Sequence, residues 1–162
     1  MQDKKRYELD DILFIAMKIE KNGEDFYRAV AKRTRNNKIK DLCTRLSNDE
    51  KEHGNIFLGI YNELKNSMHD FSCRFLERIP SLAVVADQQA FTDESIHAML
   101  QQATSEASLL DAAHQSEEET IRFYEDLKTV VAEKYASVVD RIIGEEAGHK
   151  DKVSQLRQEL AV

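Results

Sequence analysis

Glu50 and His53 stand three residues apart, Glu146 and His149 repeat the spacing, and the two pairs are offset by 96 residues. Residues at i and i+3 share one face of a helix, so each pair aims a carboxylate and an imidazole the same way. The upstream segments repeat as well: Glu20 precedes Phe26-Tyr27 at the interval by which Glu117 precedes Phe123-Tyr124. All six side chains interrupt apolar stripes, where ionisable groups should not be. Four carboxylates buried without partners would protonate rather than stay charged, whereas two divalent cations cancel their formal −4. The spacing therefore predicts a dinuclear metal centre. The Glu of each Glu-x-x-His pair is placed to bridge both ions, leaving one Glu and one His per half as terminal ligands. Oxygen and nitrogen donors without thiolate suit iron or manganese, and zinc is tolerated. Six ligands for two ions leave positions open to dioxygen or peroxide.

Four helices must carry these residues. Apolar residues recur at steps of three and four in Leu9, Leu13, Ala16, Glu20, Gly23, Tyr27, Val30, and again in Ile39, Leu42, Leu46, Glu50, His53, Phe57, Ile60, Leu64. The same period runs through Leu110, Ala113, Glu117, Ile121, Tyr124, Leu127, Val131 and through Val139, Ile142, Glu146, His149, Val153, Leu156, Leu160. A helix of ~26 residues is ~39 Å long, and the polar interruptions fall near mid-length. Short connections at Asn36-Asn37 and near Glu133-Lys134 fold each half into an antiparallel hairpin. The expected organisation is all-α, one domain over residues 1–162: a four-helix bundle of two repeated hairpins, about 8–65 and 106–161. The crossover between them, about 66–105, holds Pro80, an apolar stretch from Ile79 to Val85 and a short helix around Asp93 to Gln101. Gly23, Gly54, Gly59, Gly144 and Gly148 all fall inside these helices, where glycine costs ~1 kcal/mol against alanine. The expected compensation is room for carboxylates and metals between backbones, or ordinary close packing.

Bulk properties narrow the function. With 162 residues, one third of them charged, and a single proline, the composition is that of long helices with solvated outer faces. A net charge of −7 offers no basic stripe for nucleic acid or an anionic membrane. Cys43 and Cys73 are the only cysteines and form no C-x-x-C, which excludes a disulfide framework and four-cysteine iron or zinc modules. Cys43 lies on an apolar stripe and reads as a small buried hydrophobe. The charged start Met1–Arg6 and the lack of a long apolar run predict neither signal peptide nor membrane span, hence a cytoplasmic setting.

From Leu9 to Leu160 the chain resembles the ferritin-like di-iron carboxylate proteins, and among them the rubrerythrin-like group. The resemblance implies a ferritin-like bundle with two iron ions held by Glu20, Glu50, His53, Glu117, Glu146 and His149. Tyr27 and Tyr124 resemble the tyrosines of that group that hydrogen-bond metal carboxylates, with proton or electron donation as a further role. The implied activity is reduction of hydrogen peroxide or dioxygen by ferrous iron. Two departures stand out. Rubrerythrins usually carry a C-terminal four-cysteine rubredoxin domain, not seen here, so an external electron donor such as a rubredoxin-like protein or reductase is expected. They also carry an additional Glu one turn from the third-helix ligand, where this chain has His114 and Thr120. Homodimers are implied by the resemblance alone.

Alternatives remain open at this level. His114 is either a seventh ligand or a packed histidine, and His69 and His97 read as surface residues. Asp49 and Glu145 each precede a site histidine by four residues and are either ring partners or solvated edge charges. Glu118 and Glu119 compete with Glu117, although the stripe favours Glu117. For function, a ferroxidase or iron-handling protein, a helical interaction module with a structural metal, and an oxygenase stand beside the peroxide reading.

Overall fold

The computed structural model of the chain describes residues 9–67 and 93–160. These form α1 (Leu9–Arg33), α2 (Asn37–Ser67), α3 (Asp93–Gln102), α4 (Glu106–Val130) and α5 (Glu133–Glu159), with no strand among the described residues. The Ile79–Val85 stretch, Pro80, Cys73, His69 and the side chain of His97 lie outside them. No helix among the described residues is long and apolar enough to cross a membrane.

Local chemistry sets the α1–α2 turn and the start of α4. Thr34 Oγ1 accepts from Asn36 N–H at 3.0 Å, and Asn36 Oδ1 accepts from Lys38 N–H at 2.9 Å, so two polar side chains close the α1–α2 turn. Ser105 caps α4 reciprocally: its hydroxyl accepts from Ser108 N–H at 3.1 Å while Ser108 Oγ accepts from Ser105 N–H at 3.0 Å. The α4–α5 connection differs from the sequence expectation. It consists of Val131 and Ala132, both extended, and Glu133-Lys134 already belong to the first turn of α5. Ala132 makes no side-chain cap bond, so no capping residue marked this boundary in the sequence.

α1 packs along α2 and α4 along α5, giving two antiparallel hairpins; α2 meets α5 and α1 meets α4 between them. The short α3 rests against α1 and α4. Arg33 donates to the backbone carbonyls of Leu100 and Ala103, and Thr34 donates to Glu106 at 2.6 Å, tying the α3–α4 junction to the end of α1.

The core is two apolar clusters separated by a polar layer. One holds Ile12, Leu13, Phe57, Leu127, Val139 and Ile142; the other holds Val30, Ile39, Leu46, Leu110, Val153 and Leu156. Each large apolar side chain buried in them contributes ~1.5–3 kcal/mol, which offsets a costly middle layer. Cys43 is buried in the second cluster, and burial pushes its thiol up to about 12. The glycines split. A Cβ at Gly23 would stand 2.9 Å from Glu50 Oε2, and one at Gly54 would meet Glu20 Cβ at an ordinary 3.4 Å. Gly59, Gly144 and Gly148 have nothing within 4 Å of such a Cβ, so close approach explains Gly23 and not those three.

Candidate metal centre

The polar layer is built from the middle of each long helix. α1 contributes Glu20, α2 Glu50 and His53, α4 Glu117, and α5 Glu146 and His149, all buried. Their ligand atoms form two overlapping groups. Glu20, Glu50, His53 and Glu146 offer atoms all within 4.8 Å of one another, as do Glu50, Glu117, Glu146 and His149. Glu50 and Glu146 therefore belong to both groups, while one Glu and one His are private to each. His114 is half-buried and belongs to neither group. Glu118 is half-buried and Glu119 exposed, so the fold selects Glu117 from the three consecutive glutamates.

Both imidazoles turn Nδ1 inward. His53 Nδ1 lies 2.7 Å from Glu146 and 3.5 Å from Glu20; His149 Nδ1 lies 3.0 Å from Glu146 and 3.2 Å from Glu50. The rings are near-parallel, with centroids 5.7 Å apart. Despite these approaches, His53 Nδ1, Glu20 Oε2, Glu50 Oε1 and Glu146 Oε1 have no hydrogen-bond partner. Buried polar atoms this close but misaligned for mutual hydrogen bonds are directed at shared points between them. That arrangement fits a pair of cations: acceptor lone pairs converge, and the donor set is oxygen and nitrogen throughout.

The outer contacts cross between the hairpins. His53 Nε2 lies 2.8 Å from Glu145 of α5, and His149 Nε2 lies 3.2 Å from Asp49 of α2. Sequence spacing left each acid either a partner of the histidine four residues on in its own helix or a solvated edge charge; the structure gives it the histidine of the other half. Each ring projects across the bundle, so the acid it meets is on the facing helix. A carboxylate on Nε2 holds a proton there, so that once the imidazole is neutral its Nδ1 lone pair faces inward. The tyrosines cross likewise: Tyr27 donates to Glu117, and Tyr124 donates to Glu20.

Electrostatics follow from this crowding. Burial, then the neighbouring carboxylates, raises Glu50 and Glu117 well above the usual carboxylate range. Burial also raises Glu20, against the pull of His53. Burial alone would raise Glu146 too, but the two imidazoles outweigh it and hold this carboxyl at about 2. Burial opposes charge on His53 and His149, yet the surrounding carboxylates win and lift them to about 12 and about 10. Without cations, the cluster balances its charge with protons. Tyr27 and Tyr124 are raised well above their usual value by burial and then by the carboxylates, so both keep their phenolic protons and act as donors.

Comparison with known proteins agrees with this architecture. A ferritin-like diiron-carboxylate protein from Thermotoga maritima shares the fold, with a TM-score of 0.66 at 23% identity over 95% of this chain and 97% of its own. That likeness establishes a ferritin-like bundle. No curated protein sequence matches the chain. The rubrerythrin family model matches residues 11–157, a span that takes in all six clustered carboxylate and imidazole side chains and both tyrosines. The chain belongs to the rubrerythrin family.

Proposed function

We propose that this protein is a non-haem di-iron oxidoreductase that uses ferrous iron to reduce hydrogen peroxide or dioxygen. The observation that carries the reading is the pair of overlapping ligand groups sharing Glu50 and Glu146. Glu20 with His53 would complete one ion's protein ligands, and Glu117 with His149 the other's. When bound, a ferrous pair supplies two electrons, which with two protons reduce hydrogen peroxide to two waters.

The chain's own residues prepare for this chemistry. Apolar clusters on both sides of the polar layer keep bulk water out and strengthen every interaction within it. Donation from Tyr27 and Tyr124 fixes Glu117 and Glu20 in orientation, with the phenolic proton held on each tyrosine oxygen. Asp49 and Glu145 orient the imidazoles and reach half-exposed positions, with 42% and 47% of their side chains accessible. A separate electron donor, a rubredoxin-like protein or reductase, would be needed to supply the electrons that the reaction spends.

The test is anaerobic reconstitution followed by optical titration. Two irons per chain, oxidised by stoichiometric peroxide or oxygen, are expected. A protein that holds both irons and is oxidised by neither sinks the proposal.

A further inference from the structure

The net charge of −7 conceals an uneven distribution. Residues 28–45, spanning the end of α1 and the start of α2, hold seven cations and one acid, Asp41. Arg28 is paired with Glu24 and Asp25, and Lys38 with Glu159. Among the described residues, Lys32, Arg33, Arg35, Lys40 and Arg45 have no carboxylate partner, and all five are exposed. A groove of about 500 Å³ runs between the two helices here, lined by Arg28, Lys32, Lys40, Thr44, Ser47 and Asn48. Two of its lining residues sit close to the polar layer along their helices. Ser47 is three residues from Glu50, ~4.5 Å along the helix axis, and Arg28 adjoins Tyr27, which donates to Glu117.

We infer that this groove is the docking surface for the acidic face of a small one-electron carrier protein. The inference rests on the di-iron reading for its purpose and on charge and shape for its place. Thr44 Oγ1 already donates to Lys40 O at 2.7 Å and Ser47 Oγ to Glu24 O at 2.9 Å. The groove therefore offers long cationic side chains rather than a ring of free donors that would enclose a small anion. A nucleic acid would extend past the patch and meet the acidic remainder of the chain. A compact acidic protein matches both the extent and the sign, and long-range attraction would orient it. With iron bound at the polar layer, each encounter would pass one electron from the carrier to the centre, and two encounters would supply the two electrons that the proposed reaction spends.

The test uses flavodoxin, a small acidic carrier, and the double variant Lys32→Glu/Lys40→Glu. Binding is measured on metal-free protein, so it does not depend on any redox activity. Affinity is expected to fall about tenfold or more in the variant, and to weaken steeply between about 20 mM and about 200 mM salt. The control Lys128→Glu/Lys134→Glu, at the opposite end of the bundle, should bind as the parent does. In iron-loaded protein, reduction by flavodoxin should slow in step with affinity while reduction by dithionite is unchanged. Equal binding by parent and groove variant, or equal loss in both double variants, overturns the docking site. Normal docking without any electron transfer would spare the groove and count against the di-iron reading.

Discussion

His53 of α2 and Glu145 of α5 stand 2.8 Å apart across the bundle, ninety-two positions distant in the chain, and His149 and Asp49 repeat the relationship in the opposite sense. Each hairpin thus supplies the acid that orients the other hairpin's histidine. The polar layer is completed only when the halves dock, which couples assembly of the bundle to readiness of the centre.

Removing one of these acids tests that coupling. Glu145→Ala removes the partner of His53 Nε2 while leaving all six clustered side chains in place. Losses of ~10–100-fold in metal affinity are typical when such an outer partner is removed. Competition against a chelator should place Glu145→Ala and Asp49→Ala in that range, with far-UV circular dichroism unchanged. Parental affinity in both variants would show that the contacts have no orienting role.

Gly23→Ala separates stability from function. The added methyl would stand 2.9 Å from Glu50 Oε2 and 3.1 Å from Glu50 Cδ. Alanine gains ~1 kcal/mol of helix propensity, and the flexible carboxylate end can move aside, so thermal stability of the metal-free protein should hold or rise. Metal binding should weaken, because the displaced group is shared by both ligand groups. A variant that matched the parent in affinity would mean that Glu50 has slack in its position.

Shared and private ligands should differ in stoichiometry. Glu50→Ala or Glu146→Ala removes a ligand from both groups at once, whereas Glu20→Ala or Glu117→Ala removes one from a single group. Metal analysis after equilibrium dialysis should find both ions lost or severely weakened in the first two variants and one ion retained in the others. Indistinguishable behaviour of all four would contradict the two overlapping groups.

The pH response should change sign with metal. In metal-free protein, Glu20, Glu50 and Glu117 are raised above the ordinary carboxyl value of 4.5, and His53 and His149 above the ordinary imidazole value of 6.5. Folding favours the protonated form of each. Their stabilisation is complete below the unfolded values and is lost as pH climbs toward the folded ones. Glu146, lowered to about 2, contributes in the opposite direction, but only in acid below 4.5. The melting temperature of metal-free protein should therefore decline from about pH 5 to about pH 9, as the buried protons come under increasing strain. Metal uptake must expel those protons, so affinity rises over the same interval, and addition of metal to weakly buffered protein acidifies the solution. Uptake without proton release would exclude this picture.

Much of the candidate site was legible as periodicity. The stripes through Glu20, Glu50, His53, Glu117, Glu146 and His149 use only the 3.6-residue repeat, which fixes helix faces without any tertiary information. The same repeat placed Leu13, Leu46, Leu127 and Ile142 in the core, where they are fully buried. The Val131-Ala132 turn was less legible, because Ala132 carries no capping side chain.

The chain's own residue order determined that two similar hairpins would each direct two glutamates and a histidine inward, since helical spacing is a local property. Only the tertiary structure decided that Asp49 serves His149, that Tyr27 serves Glu117, that Gly23 rather than Gly148 makes room for a carboxylate, and that a basic groove opens beside the layer. Such contacts depend on the rotation and axial offset of one helix against another. Side chains packing across the whole bundle set those quantities, and no spacing along a single helix contains them.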